Sequence, residues 1–242
     1  MSAVYALTGA LRERARLLVD ERSPSDALAA YYACYSPVNR AQLFLSEAGP
    51  GQPNGLLVRA QTGMDLFRPL VTFRADAEAT AAALFSAGLP AGRPVYLTVP
   101  HRLAAWANKH LSVTEAELHR LYRFEPARFQ PMLNVLIVTG DDPNGGPRCE
   151  IRSGEHVGAV AGVNWQSPHF AEIYVYTEPA VRGRGWGKAV VSTLAGLLLK
   201  AGRVPLYVVS ESNDYSIRLA EAVGFVDTGH REYVGQAVRT GA

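Results

Sequence analysis

The stretch from Val175 to Val191, VYTEPAVRGRGWGKAVV, constrains the fold of this chain most strongly. It places three glycines and three cationic side chains at positions 182–188, between a strand-like apolar run and a helix-like amphipathic run. Small residues let the backbone wrap closely with its amides pointing inward, and a helix N-terminus adds the positive end of its dipole. The stretch therefore predicts a strand, a turn that cradles an anion such as a pyrophosphate, and a helix.

Two common glycine-rich loops do not match this stretch. A Walker A loop, G-x-x-x-x-G-K-[ST], would need a glycine where Arg182 stands and a hydroxyl residue where Ala189 stands. The dinucleotide fingerprint G-x-G-x-x-G is one residue out of register, because Gly187 follows Gly185 too early. Arginine and glycine tracts that bind RNA are long and disordered, unlike this short insertion. A plain tight turn remains the alternative to an anion site.

Helical and strand-like runs alternate along the chain, which predicts an α/β fold with mixed sheets flanked by helices. The predicted helices cover residues 3–19, 24–35, 76–87, 103–111, 187–201 and 213–223. The predicted strands cover residues 41–47, parts of 56–75, 94–100, 156–165, 171–179, 204–212 and 230–238. Loops are expected at 140–148 and at VNWQSPHF, residues 163–170.

The two halves of the chain contain a similar segment. AGRPVYLTV, residues 91–99, resembles AGRVPLYVV, residues 201–209, and each segment lies between two predicted helices. Either the match arose by chance, or the chain contains two tandem copies of one α/β unit. The clearest boundary signal is FEPARFQPM, residues 124–132, and only the second half has the glycine and arginine run.

Composition excludes several classes of protein. A net charge of +2 gives no reason to expect a nucleic acid partner. Cys34 and Cys149 form neither a disulfide framework nor a metal-ligand pair, and no histidine has a metal-ligand spacing, so reduced thiols and no metal are expected. Charges at 12–16 interrupt any signal peptide, and the apolar run 190–199 is far shorter than the roughly 20 residues that span a bilayer. We expect a cytoplasmic protein without a membrane segment.

One family fits these motifs specifically. The pattern [RQ]-x-x-G-x-[GA], filled by Arg182, Gly185 and Gly187 between a strand and a helix, resembles the acyl-coenzyme A (acyl-CoA) signature of the GNAT acyltransferase superfamily. The downstream block, PLYVVSES followed by NDYSIRLAEAVGF, is similar to the next strand and helix of that family. Together the two blocks look most like the branch related to glycine N-acyltransferases.

The strong resemblance covers residues 155–225 and extends weakly upstream. In proteins of that branch, the N-terminal half resembles a degenerate copy of the same fold. The resemblance therefore implies two tandem GNAT-like units, a degenerate one over residues 1–128 and a catalytic, acyl-CoA-binding one over 129–242.

The resemblance also implies a binding site for acetyl-CoA or another acyl-CoA as co-substrate. The strand before the cradle would splay from its neighbour and bind the acyl carbonyl and pantetheine arm through Val175, Tyr176 and Thr177. The pyrophosphate would be held by Arg182, Gly183, Arg184, Gly185, Trp186, Gly187 and Lys188. Further contacts to the coenzyme would come from Asn213 and Ser216. Asn213 could also act as a helix N-cap, and both roles are compatible.

The catalytic residues follow the family less closely. Glu172 matches the glutamate that often acts as general base, and a solvated residue at the start of a strand is the alternative. Many relatives read LYEKLGF where this chain reads LAEAVGF, so Ala220 replaces the tyrosine that protonates the coenzyme sulfur. Tyr215 is the expected replacement, with Tyr233 as a second candidate. A dedicated acid could also be absent, because a thiol of pKa about 8.5 is a tolerable leaving group.

The resulting prediction is an N-acyltransferase, and in particular an N-acetyltransferase. It would transfer the acyl group directly from acyl-CoA to the amine of a small molecule or amino acid. Asn164, Trp165 and His169 are expected on a loop facing the acceptor. The alternatives are a non-catalytic protein that binds or senses acyl-CoA, and a peptide or protein N-acetyltransferase. The sequence is also compatible with a homodimer.

Overall fold

Helices and strands alternate along the chain in the computed structural model, which describes residues 8–63, 67–129, 131–132, 134–143 and 145–240. The α-helices are α1 (Gly9–Arg16), α2 (Ala27–Ala30), α3 (Glu78–Gly88), α4 (Ala104–His110), α5 (Trp186–Lys200) and α6 (Asp214–Val223). The strands are β1 (Ala41–Gly49), β2 (Gln52–Ala60), β3 (Leu70–Ala75), β4 (Pro94–Pro100), β5 (Ser112–Phe124), β6 (Ile137–Asp141), β7 (Pro147–Ser153), β8 (His156–Gln166), β9 (Phe170–Thr177), β10 (Val204–Ser210) and β11 (Phe225–Val238). Short 3-10 or π-helical segments occupy Pro24–Asp26, Tyr31–Tyr35, His101–Leu103, Pro126–Arg128 and Pro179–Val181.

The chain divides into two units. Unit 1 comprises the described residues up to His119 and from His230 onward, and unit 2 comprises Arg120–Gly229. The predicted domains, a degenerate one over 1–128 and a catalytic one over 129–242, stay a prediction.

Unit 1 contains a mixed sheet whose strands lie in the order β1, β2, β3, β4 and the last part of β11. β1, β2 and β3 are antiparallel neighbours, β3 and β4 are parallel, and residues 232–238 pair antiparallel with β4. Helix α3 connects the two parallel strands and contributes Leu84 and Phe85 to the core of this unit. The ring of Phe85 meets Phe73 of β3 edge to face, with 4.8 Å between ring centroids.

In unit 2 the strands lie in the order β5, β10, β9, β8, β7 and β6. β6 to β9 are antiparallel neighbours, whereas β9 and β10 are parallel and are connected through α5. Leu194 of α5 and Ala220 of α6 pack in one hydrophobic core with Ile173 of β9. Successive side chains of a strand point to opposite faces, so Glu172 and Tyr174 lie on the face away from this core.

Most predicted elements are confirmed, with ends that move by a few residues. The strand Pro94–Pro100 has the predicted bounds, and α5 and α6 begin within one residue of the predicted starts. Gly224 ends α6 in the left-handed conformation with φ 113°, as its position after the last helical residue indicated. Residues 3–7 of the first predicted helix and residues 64–66 of the strand-like run lie outside the described residues.

Three strands, β5, β6 and β7, were not predicted. The first half of β5 and nearly all of β6 are exposed or half-buried, so neither shows the apolar alternation that marks a strand in sequence. β6 is the edge strand of its sheet and pairs only with β7. The predicted loop at 140–148 is therefore the tip of a hairpin between Asp141 and Pro147.

The predicted α/β class, with mixed sheets flanked by helices, is confirmed. No described helix combines the length and the apolar character that crossing a membrane requires.

Leu194 provides a test of the unit 2 core, because its side chain is fully buried. We expect Leu194→Ala to lower the free energy of unfolding by about 2–5 kcal/mol, since it leaves a cavity among α5, α6 and the sheet. Urea denaturation followed by circular dichroism measures this change. Leu17→Ala, at a side chain that is 70% exposed, is the control and should change the free energy by less than about 0.5 kcal/mol. Equal losses in both variants would contradict the packing described.

Candidate active site

The parallel ladder between β9 and β10 ends early. It joins three residue pairs, Val204 with Phe170, Pro205 with Ala171 and Leu206 with Glu172, although both strands continue beyond the last pair. The carbonyl of His169 accepts from the amide of Val204 at 2.8 Å, so alternate peptide groups of β9 face β10. By this alternation the peptide groups of Val175 and Thr177 face the gap that opens beyond the ladder, which we call the cleft.

Two glycines shape the turn between β9 and α5. Gly183 and Gly185 have φ values of 80° and 76°, which lie in the left-handed region that favours glycine. A Cβ built at either residue meets no atom within 4 Å, so open space lies beside the backbone of this turn. We call residues Arg182–Lys188 the cradle. The backbone at Gly183 and Gly185 is therefore unhindered on the side where a Cβ would stand.

The amide groups of the cradle point out of the start of α5. The first intrahelical hydrogen bond runs from the amide of Ala189 to the carbonyl of Gly185, at 3.0 Å. The amides of Trp186, Gly187 and Lys188 therefore precede the hydrogen-bond ladder of the helix and can donate to an anion. This arrangement matches the anion cradle that the sequence predicts.

Gly187 fixes the cradle against the rest of unit 2. A Cβ at Gly187 would lie 2.7 Å from Oγ1 of Thr177 and 3.1 Å from Cδ1 of Leu219, so the first turn of α5 packs directly on β9 and α6. The ring of Trp186 packs on Gly158 of β8, where a Cβ would lie 2.6 Å from the ring. The contact with Trp186 explains why a glycine is needed at 158, near the start of β8.

Two arginines lie along the rim of the cradle. Nε of Arg182 donates to the carbonyl of Thr177 at 3.2 Å, which ties the rim to the end of β9. The guanidinium of Arg184 lies over the Trp186 ring, 5.6 Å from its centroid. Lys188 is half-buried on the first turn of α5. The cradle thus combines backbone donors with three cations, as the sequence analysis expected.

Glu172 lies at the closed end of the cleft, on the last paired residue of β9. Nδ2 of Asn164 donates to its Oε1 at 2.7 Å, and Nε1 of Trp165 donates to its Oε2 at 3.0 Å. Burial raises the pKa of Glu172, and the hydrogen bonds from Asn164 and Trp165 partly oppose this by favouring the carboxylate. The result is a carboxyl group of raised pKa that is held in place by two donors.

Asn164 and Trp165 fall in two overlapping predictions, the strand at 156–165 and the loop at 163–170. The strand is confirmed and the loop begins later than expected, because both residues lie in β8. The pairing is shifted between Val163 and Trp165, so that Asn164 is an extra, bulged residue. The polarity of NWQ suggested a loop, whereas the bulge and the contact with Glu172 keep the segment in the sheet. His169 does lie on the turn between β8 and β9, as expected.

The first turn of α6 carries the remaining predicted residues. Oδ1 of Asn213 accepts from the amide of Ser216 at 3.1 Å, which confirms the N-cap. The hydroxyl of Ser216 is hydrogen-bonded to that of Tyr207 on β10. Tyr215 is 49% exposed on the same turn. Sequence reasoning did not single out Tyr207, whose apolar neighbours mark it as a core residue.

The three β9 residues that were predicted to contact the acyl-CoA lie in different environments. Tyr176 is 54% exposed, Thr177 is buried against α5, and Val175 packs partly on the core. Tyr233 belongs to unit 1, where its hydroxyl donates to Oδ1 of Asn108 at 2.8 Å. No cluster of three or more metal-ligating side chains occurs within the described residues.

Comparisons with known proteins address the fold. The family model described as FR47-like protein matches residues 151–234, which include the cradle and α6. Across all of this chain, the structure matches 99% of a tandem GNAT protein from the clavulanic acid biosynthesis pathway, with 12% identity and a TM-score of 0.67. It also matches 96% of a GCN5-related N-acetyltransferase from Sphaerobacter thermophilus, with 12% identity and a TM-score of 0.64.

A third neighbour is an acetyltransferase from the GNAT family of Colwellia psychrerythraea, at 10% identity and a TM-score of 0.58 over 98% of this chain and 99% of that one. The curated proteins contain no match to this chain. At such identities, agreement over the full length establishes the fold. The chain has the GNAT acetyltransferase fold. The match to a tandem GNAT protein over its whole length agrees with the predicted tandem architecture.

Within the GNAT fold, the acyl-CoA signature expected at Arg182, Gly185 and Gly187 coincides with the cradle. The assignments of single residues to the coenzyme stay predictions, as do the catalytic roles of Glu172 and Tyr215. What the geometry adds is that the cradle, the cleft and Glu172 all adjoin one strand, β9.

The Asn164 contact gives a test of the electrostatics at Glu172. Because the Asn164 hydrogen bond favours the carboxylate, Asn164→Ala should raise the pKa of Glu172 further above its ordinary value. Carboxyl-carbon NMR titration of the chain measures the shift directly. Gln166→Ala, on the same strand but opposite Ala171, is the matched control and should leave that pKa unchanged. An unchanged or lowered pKa in Asn164→Ala would show that the contact does not stabilise the charged form.

Proposed function

We propose that this chain is an acyl-CoA-dependent N-acyltransferase, an N-acetyltransferase in the first instance, that transfers the acyl group directly to the amine of a small molecule or amino acid. The observation that carries the proposal is the continuity of the site along β9. The cradle follows its C-terminal end, the cleft lies beside Val175–Thr177, and Glu172 closes the cleft. The GNAT fold is consistent with this assignment.

The cradle fits a diphosphate group. The amides of Trp186, Gly187 and Lys188 are available at the start of a helix, and Arg182, Arg184 and Lys188 supply positive charge around them. A diphosphate offers several acceptor oxygens and negative charge, which suit backbone donors near the positive end of a helix dipole. Coenzyme A carries such a group, and the glycines leave room for it.

The cleft fits the pantetheine arm and the thioester. Acyl-CoA, when bound, supplies a thioester whose carbonyl carbon accepts the amine. The peptide groups of Val175 and Thr177 face the gap between β9 and β10 and can hydrogen-bond the arm and the thioester carbonyl. Backbone donors that are fixed in advance stabilise the carbonyl oxygen as it gains negative charge.

Glu172 is suited to act as the general base. An amine must lose its proton before or during attack, and a lysine-like amine, with a pKa of about 10.4, needs this help more than an α-amine of about 7.7–8.0. The raised pKa of Glu172 makes its carboxylate a stronger proton acceptor than an ordinary glutamate. Asn164 and Trp165 hold the carboxylate in one orientation. For the departing thiolate, Tyr215 is the proton donor that the sequence favours.

Unit 1 supports the proposal that only one unit binds acyl-CoA. Its parallel strands β3 and β4 pair only at Leu70 with Tyr96 and Val71 with Leu97 and then separate, as β9 and β10 do. The turn before α3 carries Asp76, whose carboxylate accepts from the Thr80 hydroxyl at 2.8 Å. Carboxylates at a helix N-terminus repel a phosphate, so we propose that unit 1 is a degenerate copy without a cradle.

The proposal also covers the class of acceptor and the branch of the GNAT superfamily. The paired blocks at 175–187 and 213–225 support the branch related to glycine N-acyltransferases, and therefore a small amine or amino acid acceptor. A non-catalytic protein that binds acyl-CoA is the second candidate, because a fully buried Ala220 occupies the place of the expected catalytic tyrosine. An acetyltransferase that acts on a peptide or protein amine is the third candidate.

Glu172→Gln tests the enzyme proposal. We expect kcat/KM with acetyl-CoA and a responsive amine to fall about 10²- to 10⁴-fold, because the amide cannot accept the amine proton. The dissociation constant for acetyl-CoA should stay within about twofold. Thioester consumption over a panel of amines measures the first quantity, and calorimetry measures the second. Glu178→Gln, at the far end of β9, is the matched control.

One result would decide against the enzyme proposal, and another would decide against its general base. Acetyl-CoA binding by the unaltered chain with no turnover on any amine would favour the sensing protein. Turnover that is unchanged in Glu172→Gln would remove Glu172 as the base.

Gly185→Glu tests the cradle. We expect it to abolish acetyl-CoA binding, because the new side chain fills the open space and adds negative charge where the diphosphate would lie. Gly202→Glu is the matched control, since Gly202 has nearly the same φ, 74°, the same open surroundings, and a place at the other end of α5. Backbone strain of about 1–2 kcal/mol is then common to both variants.

Calorimetry should show one site per chain in the control and none in Gly185→Glu, with similar melting temperatures. Retained binding in a folded Gly185→Glu variant would refute the cradle, and two sites per chain would refute the degeneracy of unit 1. Gly187 is unsuitable for this test, because its substitution would disturb the packing against Thr177.

A further inference from the structure

Tyr207 lies immediately after the last residue pair of the β9–β10 ladder. Leu206 pairs with Glu172, so the backbone of Tyr207 begins the part of β10 that borders the cleft. Its side chain is only 3% exposed and points to α6, where its hydroxyl is hydrogen-bonded to that of Ser216. A phenol is thereby held between the start of the cleft and the first turn of α6.

Ser216 and Ala220 define the part of α6 that this phenol approaches. They are four residues apart, so they lie one above the other on the same face of the helix. Ala220 is fully buried in the hydrophobic core that also contains Tyr207. Ala220 presents only a methyl group on this face of α6, and the hydroxyl of Tyr207 reaches the same face at Ser216.

We propose that Tyr207 is the proton donor for the departing coenzyme A sulfur, in place of a residue on α6. This assignment rests on the proposed acyl transfer and names its acid. It takes that role from Tyr215, which is half exposed and is not among the residues of the core that contains Tyr207 and Ala220.

The bonds and protons of the acyl transfer balance with Glu172 as the proton acceptor and Tyr207 as the proton donor. The amine nitrogen forms a bond to the thioester carbonyl carbon, and Glu172 takes the amine proton. As the carbon–sulfur bond breaks, its electron pair stays on sulfur and the hydroxyl proton of Tyr207 moves to that sulfur. The products are the amide and the free thiol. The phenolate regains a proton from solvent through Ser216, and Glu172 releases its proton to solvent.

Ser216 supports both states of the phenol. Its hydroxyl can donate to the phenol oxygen, which leaves the Tyr207 proton for the sulfur and stabilises the phenolate afterwards. Burial raises the pKa of Tyr207, with the Ser216 hydrogen bond opposing and the nearby Tyr215 adding to the rise. The phenol therefore carries its proton at neutral pH, as a donor must.

Tyr207→Phe tests the assignment with the removal of one oxygen atom. We expect kcat to fall about 10²-fold or more, within the range for loss of a general acid, while the acetyl-CoA dissociation constant and the melting temperature stay close to those of the unaltered chain. Tyr122→Phe is the matched control, because Tyr122 is a buried tyrosine of the same core whose hydroxyl also bonds α6, at Glu221. It should keep kcat within about twofold.

A swap of the two positions gives a second, independent measurement. Tyr207→Leu combined with Ala220→Tyr returns a phenol to the same face of α6 from the helix side. Activity in this double variant should exceed that of Tyr207→Leu alone by at least about tenfold. A merely structural role for Tyr207 would give no such recovery.

Each outcome bears on the assignment. A kcat within about threefold of the unaltered value in folded Tyr207→Phe overturns it, and a loss in Tyr215→Phe without one in Tyr207→Phe returns the role to Tyr215. Absence of turnover in the unaltered chain, with acetyl-CoA bound, overturns the proposed function and this assignment together. Turnover in the unaltered chain that is lost in Tyr207→Phe, and is partly restored by the swap, supports both.

Discussion

The candidate site depends on where the hydrogen bonds between β9 and β10 stop. Three pairs hold these parallel strands together, and beyond Leu206 and Glu172 the peptide groups of Val175 and Thr177 face the gap without a ladder partner on β10. The close approach of Gly187 to Thr177 then fixes the start of α5 beside the same gap. A backbone donor that is left unpaired at a surface is costly unless water or a ligand satisfies it, so the early end of the ladder is itself a binding feature.

The sequence was sufficient wherever local chemistry fixes the backbone. The glycines at 183 and 185 need left-handed φ values, Asn213 caps a helix, and Gly224 ends one, and each of these could be predicted from residue type and spacing. The strand, turn and helix that contain the cradle could therefore be predicted from the sequence. The class of the fold followed from the alternation of helical and strand-like runs.

The sequence was insufficient where pairing between distant segments determines the secondary structure. β5 and β6 lack apolar alternation, and only their neighbours in the sheets make them strands. The polar letters around Asn164 indicated a loop, because a bulge cannot be distinguished from a turn without its partner strand. Tyr207 could not be recognised for a different reason. A tyrosine in an apolar run predicts core packing, and its hydroxyl contact with Ser216 depends on how the next helix packs on β10.

The bulge in β8 has a consequence for how such a site could arise. Val163 and Trp165 keep their partners on β9, Ile173 and Glu172, on either side of the extra residue. A chain that lacked Asn164 would retain this register and the same core, and it would lose only one donor to Glu172. The environment of the carboxylate could thus be altered by inserting or deleting a single codon, a change that usually disrupts a strand.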